Sequence, residues 1–362
     1  MLPLIIYFQY EAPAFSFLAN VAAVPLATCA FTLAFLLIFL PYTVFHEAIS
    51  WMIQGVLWIS RQSYGMLTIG HVPFLWVLLF YFMTGLWIWK KNGQNRHIRI
   101  SLAYVIMIIL IWIPMARRKS LAFLDVGQGD CFVADTKSGA IIFDGGSSSE
   151  DQVGRYRILP YMKYLGYQKI QIAVISHMDI DHYSGIKELL EMGKIKYLGL
   201  PEIPKDETMK KIIGIAKKRG TTIFYLSRGR QITTKDGSLK VLHPQKNSQM
   251  EKNVASLVMQ GKILGYRVLL TGDVEKEGEE ELLSEELERA DILKAAHHGS
   301  KNSTSNEFLQ KVQPKQTVIS CGKQNRYGHP HLETIHRLQT YRTKIYRTDR
   351  SGAIIFFKRR DG

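Results

Sequence analysis

The sequence predicts an α-helical, membrane-embedded region over residues 1–119 followed by a soluble α/β domain over 120–362. Three observations carry this reading. No charged residue occurs from Ala14 to Tyr42, and about 20 apolar residues suffice to cross a bilayer as a helix. From Ser120 onward, short apolar runs alternate with turn residues and with helical patterns. Three of those runs end on Asp or His, at the strand edge where open α/β sheets build their sites.

In the first region, Ala14–Tyr42 is one spanning segment, kinked or bounded by Pro25 and Pro41. His71–Trp89 is a second, closed by Lys90 and Lys91 with Trp87 and Trp89 at the interface. Ile100–Met115 is a third, between Arg96 and Arg99 on one side and Arg117, Arg118 and Lys119 on the other. The stretch Glu47–Gly70 reads as a helix lying on or re-entering the membrane. A signal peptide is excluded, because no basic segment precedes the apolar content and that content outlasts one core. The slightly more basic 90–99 loop belongs in the cytoplasm, which puts the C-terminal domain outside the cell.

In the second region, strands are expected at Leu121–Leu124, Cys131–Ala134, Ala140–Phe143, Ile170–Ile175, Ile195–Leu200, Thr222–Leu226 and Leu239–Leu242. Further strands follow at Ser256–Gln260, Tyr266–Leu270, Asp291–Ala296, Thr317–Ser320, Lys344–Tyr346 and Ala353–Phe357. Helices fall at Ile158–Leu165, Gly185–Met192 and the Glu-rich stretch after Asp273. The chain carries 46 Lys and Arg against 31 Asp and Glu, a net charge of +15. That balance suits a polyanion or an anionic membrane surface without choosing between them. Three cysteines, Cys29, Cys131 and Cys321, are too few for a disulfide framework or a zinc knuckle. A Cys131–Cys321 pair stays open only for an oxidising side.

The densest chemistry is His177-Met-Asp179-Ile-Asp181-His182. Two imidazoles and two carboxylates at one strand end are costly to desolvate unless a cation collects them. A solvated polar turn is the alternative. Three carboxylates and three imidazoles without a thiolate, once Asp273 and one member of the pair His297-His298 join the set, favour Mn²⁺, with Mg²⁺ or Zn²⁺ next.

The order His177-x-Asp179-x-Asp181-His182, Leu270-Thr-Gly-Asp273 and His297-His298-Gly-Ser300 resembles the metallo-β-lactamase fold. More narrowly, Asp125-Val-Gly-Gln-Gly-Asp130, Lys294-x-x-His-His-Gly-Ser300 and Asn325-Arg-Tyr-Gly-His-Pro330 resemble the C-terminal part of the ComEC family, channel proteins of bacterial DNA uptake in natural competence. The resemblance is dense over 120–362 and looser in the membrane region, through its helices and Asn20–Pro25. Family members are longer, so this chain resembles the C-terminal half of one, either a fragment or a naturally split version.

The resemblance implies a four-layer αββα domain holding two divalent metal ions. His177 and Asp179 would serve one metal, Asp181 and His182 the other, with Asp273 bridging and His298 a further ligand. Asp273 as a cap of the following helix is the competing reading. Asp181, His297 and His329 would act in catalysis, while Lys294, Ser300 and Asn253 would contact substrate. For His329 and His331 a plain loop role stays open. Asp125, Gln128, Asp130 and Asp144 would shape the floor, with Asp144 behind a ligand histidine. Relatives carry another ligand histidine before the Asp273 strand, where this chain has Asn253-Val-Ala-Ser256. Asn253 or water would take that place, and His243 is the nearest upstream imidazole.

Two basic groups flank these elements: Lys205, Lys210, Lys211, Lys217, Lys218 and Arg219, then Arg337, Arg342, Lys344, Arg347, Arg350, Lys358, Arg359 and Arg360. Either a DNA-tracking surface or solvated faces account for them. The expected function is a multi-pass cell-membrane component of DNA uptake whose dinuclear nuclease degrades one strand while the other enters. Partners would be single-stranded DNA, the bilayer, and other uptake proteins or a missing N-terminal channel half. Alternatives are a phosphodiesterase of phosphorylcholine or a surface polymer, a non-catalytic DNA-gripping domain, and a β-lactamase, which the membrane region and carboxylate-rich centre disfavour.

Overall fold

In a computed structural model the chain forms two compact units, residues 1–114 and 115–362. Residues 2–13, 16–39, 43–61, 65–89, 101, 105, 118–248, 253–284 and 287–359 are described. The first unit contains helices α1 (Leu2–Gln9), α2 (Ser16–Leu36), α3 (Thr43–Arg61) and α4 (Phe74–Trp89), with strands β1 (Glu11–Pro13) and β2 (Met66–Thr68). Pro25 lies inside α2.

The stretch 47–70 is not one helix: it leaves α3 at Arg61, and β2 then pairs antiparallel with β1. Gly65 turns with φ +78° just before β2, a conformation open to glycine. No helix among the described residues is long and apolar enough to cross a membrane. The third expected span, 100–115, lies outside the described residues except for Ser101 and Val105, as does the 90–99 loop. Large apolar side chains stand exposed on the helices of this unit, among them Phe31, Trp51 and Phe82.

The second unit is built from two seven-stranded mixed sheets. The first comprises β3 (Ser120–Phe123), β4 (Phe132–Thr136), β5 (Gly139–Phe143), β6 (Ile170–Val174), β7 (Ile195–Pro201), β8 (Thr222–Leu226) and β16 (Ile354–Phe357), in the order β16-β3-β4-β5-β6-β7-β8. The second comprises β9 (Gln231–Thr234), β10 (Gly237–His243), β11 (Val258–Ile263), β12 (Tyr266–Leu270), β13 (Ile292–Lys294), β14 (Gln316–Ile319) and β15 (Lys344–Arg347), in the order β15-β14-β13-β12-β11-β10-β9. In each sheet one half is antiparallel and the other parallel.

Side-chain alternation explains the layering. Along β3 and β5, Leu121, Phe123, Ile141 and Phe143 face the second sheet, meeting Val241, Met259 and Val268. Their neighbours Ala122, Ala140 and Ile142 face the other way, packing on Ile186, Leu189 and Met209. Those residues come from α5 (Leu159–Tyr164), α6 (Ile180–Glu191) and α7 (Glu207–Lys218), which cover the first sheet together with Ile158 of the π-helical turn before α5. The second sheet's outer face packs on α8 (Lys276–Leu283), α9 (Asn306–Val312) and α10 (Leu332–Thr340) through Leu282, Phe308 and Leu338. The result is the expected four-layer αββα sandwich. Strands β6, β12 and β13 all end towards the same edge, carrying His177, Asp273 and the His297-His298 turn with them.

Candidate metal centre

Strand β6 stops at Val174, and Asp179, in extended conformation, is the N-cap residue of α6. His177 therefore sits in the loop, whereas Asp181 and His182 occupy the first turn of α6, which begins earlier than its apolar pattern suggested. Glycines make this junction possible. The backbone of Asp130 donates to the Asp181 carbonyl at 3.0 Å, and Gly145 donates to the His182 carbonyl at 2.8 Å. A Cβ on Gly146 would lie 2.5 Å from both the His182 nitrogen and the Ile180 carbonyl oxygen. Gly146→Ala is thus expected to cost about 1–3 kcal/mol by overpacking, read as a lower denaturation midpoint.

Asp273 follows β12 and is buried; its backbone nitrogen donates to Ser256 Oγ at 3.0 Å. It does not cap the next helix, whose N-cap residue is Glu275. Instead Asp273 Oδ2 lies 3.2 Å from His182 Nε2 and 3.3 Å from His298 Nε2. Asp181 Oδ2 is 3.4 Å from His298 Nε2. His177 Nε2 lies 3.6 Å from Asp179 Oδ2.

The rings are aimed from behind. His182 Nδ1 donates to Asp144 Oδ2 at 2.9 Å, and Asp144 Oδ1 accepts the Ser176 backbone N–H at 2.7 Å. His298 Nδ1 donates to the Ser320 carbonyl at 3.0 Å. His177 Nδ1 lies 3.0 Å from Ser176 Oγ and 3.3 Å from Ser256 Oγ. These contacts leave each Nε2 turned into the pocket. Both His297 and His298 have left-handed backbones, φ +48° and +53°. Such strain, on the order of 1–3 kcal/mol per residue, persists only when the surroundings impose it. Here His297 N donates to the Gly272 carbonyl and Ser300 N to the His297 carbonyl.

The donor set fits a divalent cation. His177 Nε2, His182 Nε2, His298 Nε2 and Asp273 Oδ1 are buried with no hydrogen-bond partner, an arrangement proteins keep for a reason. Ligand atoms of His177, His182 and Asp273 lie within 4.8 Å of one another, as do those of Asp181, His182 and His298. Electrostatics point the same way. Burial opposes charge on His182 and His298, yet Asp273, with Asp144 beside one ring and Asp130 beside the other, pushes both well above the usual imidazole range. Asp273 is held well below the carboxylate range: burial works against this, but His182, His298 and Lys294 outweigh it. The pocket favours positive charge on both rings. Cation uptake near pH 7 is therefore expected to release protons, measurable with an indicator dye in weak buffer.

The other predicted residues fall into three places. His297 is on the rim, with Nδ1 3.0 Å from Glu275 Oε1 and Nε2 3.9 Å from Asp273 Oδ2. His329 is beside it, ring centroids 5.5 Å apart, and stacks on Tyr327. Burial, then His298, His297 and His331, lower its pKa to about 4, so it is neutral at pH 7. His331 Nδ1 accepts the Lys301 backbone N–H. Asn253 is half-buried and 3.5 Å from Glu275 Oε1.

Asp125 accepts the Gly127 N–H and Gln128 Oε1 the Gly322 N–H, so both shape turns. The Ser300 hydroxyl accepts the Asn302 N–H. Lys294 is not presented to substrate: it is buried, and its ammonium is engaged by Asp130, by the Gly272 carbonyl at 3.0 Å and by Asp273 Oδ1 at 3.5 Å.

Sequence reasoning missed Ser256, which touches both His177 and Asp273; its signal was the four-residue stretch where a histidine was sought. His243 is a support, its Nδ1 donating to the Ser256 carbonyl and its Nε2 3.5 Å from Glu281. Cys131 and Cys321 are both free. Four of the eight residues in the second basic group are engaged within the fold: Arg337 caps the carbonyls of Lys301, Ser303 and Thr304, Arg347 pairs with Asp349, Lys358 with Asp236, and Arg359 with Asp291. Lys210, Lys211, Lys217 and Lys218 remain exposed on α7.

Fold and site together define a metallo-hydrolase-type sandwich, and the chain belongs to the metallo-beta-lactamase superfamily, whose model matches residues 124–323. Its homologues are competence proteins of the ComEC family. The chain is similar to ComE operon protein 3 of Bacillus subtilis (strain 168), 34% identical over 294 residues, covering 75% of this chain and 38% of that protein. It is similar also to competence protein ComA of Neisseria gonorrhoeae, 30% identical over 248 residues, covering 66% of this chain and 32% of that protein. The chain thus spans well under half the length of these relatives. Among solved structures, the metallo-beta-lactamase fold protein YhfI of Bacillus subtilis aligns with a TM-score of 0.45 and 14% identity, covering 66% of this chain and 99% of that one.

Proposed function

We propose that this chain is a membrane component of DNA uptake whose second unit hydrolyses phosphodiesters of one DNA strand with two divalent cations. One observation carries the catalytic part: the buried Nε2 atoms of His182 and His298 converge without hydrogen bonds on Asp273, with His177 in the same cluster within 4.8 Å. His177, Asp179, Asp181, His182, Asp273 and His298 would hold the cations. Charge counting supports two of them. Five carboxylates, Asp130, Asp144, Asp179, Asp181 and Asp273, stand against one ammonium, Lys294. The excess of four negative charges is what two divalent ions balance. Three carboxylates with three imidazoles and no thiolate favour Mn²⁺ over Zn²⁺ or Mg²⁺.

When bound, the cations supply Lewis-acid stabilisation of an anionic phosphodiester and acidify a nearby water. The chain's residues do the rest. Asp273 and Asp181 fix the charge that locates the ions, and Asp144 keeps His182 in the Nδ1–H tautomer. His297 and neutral His329 line the rim, where His329 would donate a hydrogen bond to a phosphate oxygen. The exposed lysines of α7 would attract the polyanion. Exposed Phe31, Trp51 and Phe82 on α2, α3 and α4 support an apolar surrounding for the first unit.

The deciding experiment is cleavage of single-stranded DNA by the purified full chain with Mn²⁺, alongside Asp181→Ala. Metal-dependent cleavage reduced by more than about 100-fold in the variant is expected. Cleavage that persists in the variant, or none in the parent chain, overturns the nuclease. Turnover of phosphorylcholine esters instead of DNA would reassign the substrate.

A further inference from the structure

We infer that Asp130 and Lys294 form a buried positioning pair, a built-in cation and its counter-ion, that holds the metal pocket in shape from behind. The inference rests on the metal reading above and adds residues that stand behind the ligand rings, with Asp130 also within 4.8 Å of candidate ligand atoms of His298 and Asp273.

Asp130 and Lys294 have side chains 6% and 4% exposed, and they meet directly. Asp130 comes from the loop between β3 and β4 of the first sheet, whereas Lys294 ends β13 of the second. The contact therefore ties the two sheets together under the pocket. Each partner then reaches a different part of it. Asp130 Oδ1 lies 3.5 Å from His298 Nδ1, and Oδ2 lies 3.8 Å from His182 Nδ1. Both nitrogens already have closer acceptors, the Ser320 carbonyl and Asp144. Asp130 is thus a charge behind two ligand rings rather than their tautomer setter.

Lys294 donates to the Gly272 carbonyl at 3.0 Å and stands 3.5 Å from Asp273 Oδ1. That places one oxygen of Asp273 against the ammonium and turns the other, Oδ2, towards His182 and His298. Lys294 so selects which carboxylate oxygen the cations meet. Without it, Asp130 and Asp273 would be two buried like charges on one side of the pocket, and the pocket would open before any ion arrived.

A buried pair can serve stability alone, and a charge-removing double variant separates the two roles. Replacing both members of a buried ion pair is often neutral for stability, while breaking one is costly. In the full chain, Lys294→Met alone is expected to lower the melting temperature of the metal-free protein by roughly 10 °C and Mn²⁺ affinity by about 10–100-fold. Asp130→Asn with Lys294→Met should recover most of the melting temperature. Its Mn²⁺ affinity, from calorimetric titration, should stay at least about 10-fold weak, with an altered Mn²⁺ electron paramagnetic resonance spectrum.

A double variant that binds Mn²⁺ like the parent makes the pair merely structural and overturns the inference. So does a double variant as unstable as Lys294→Met, since the two charges would then not be coupled. A parent chain that takes up neither Mn²⁺ nor Zn²⁺ removes the metal reading itself, a failure visible before any variant is made.

Discussion

Asp273→Ala should leave the protein with at most one bound divalent ion per chain and lower any phosphodiesterase activity by at least about 10²–10³-fold. One oxygen of Asp273 faces the Nε2 atoms of both rings: Oδ2 is 3.2 Å from His182 Nε2 and 3.3 Å from His298 Nε2. The stability effect has a less obvious sign. In the metal-free protein Asp273 is the main counter-charge of His182 and His298, and it stands second to Asp130 beside Lys294, all buried. Removing it strands that positive charge, so the metal-free variant should lose about 3–5 kcal/mol at or below neutral pH. As pH rises and the imidazoles shed protons, the deficit should shrink. Metal analysis by inductively coupled plasma spectrometry, with denaturation curves at pH 6 and pH 9, checks both halves. Two ions per chain in the variant, or a deficit independent of pH, would contradict the arrangement.

Much of this domain was legible along the chain, for a physical reason. Strands buried on both faces are short apolar runs, and Gly139–Phe143, Ile170–Val174 and Tyr266–Leu270 stand out because little else interrupts them. The cluster at His177–His182 was legible because its members are neighbours in sequence. Elements written mainly in charge were not. Helix α7 reads as a basic run, yet Met209, Ile212 and Ala216 form a narrow buried stripe against the first sheet, and Asp206 caps it by accepting the Met209 N–H. Strand β9 and helices α9 and α10 are short and polar and hid in the same way.

Within the site, the residues read least well are those whose partners lie far away in sequence. Lys294 reads along the chain, through the family resemblance, as a substrate contact. Its burial against Asp130 follows from how two sheets pack, which no local pattern encodes. Ser256 reaches His177 across a separation of 79 residues. A search for one more histidine looked past it.

The substitution Asp144→Asn isolates the tautomer of His182. Asp144 Oδ1 accepts the Ser176 backbone N–H at 2.7 Å, and Oδ2 faces His182 Nδ1 at 2.9 Å. An asparagine of the same shape must present its carbonyl oxygen to Ser176, because a backbone N–H can only donate. Its NH₂ group then meets His182 Nδ1 and demands a lone pair there. The ring proton moves to Nε2, the atom 3.2 Å from Asp273 that should face a cation. The lost donor atom is expected to weaken divalent-ion binding by about 10–100-fold. Size and hydrogen-bond count hardly change, so the metal-free fold should keep its denaturation midpoint far better than after Asp273→Ala. The ring-nitrogen shifts of His182 in ¹⁵N-labelled protein report the tautomer directly. A metal affinity equal to the parent's, with Nδ1 still protonated, would show that Asp144 does not govern this ring.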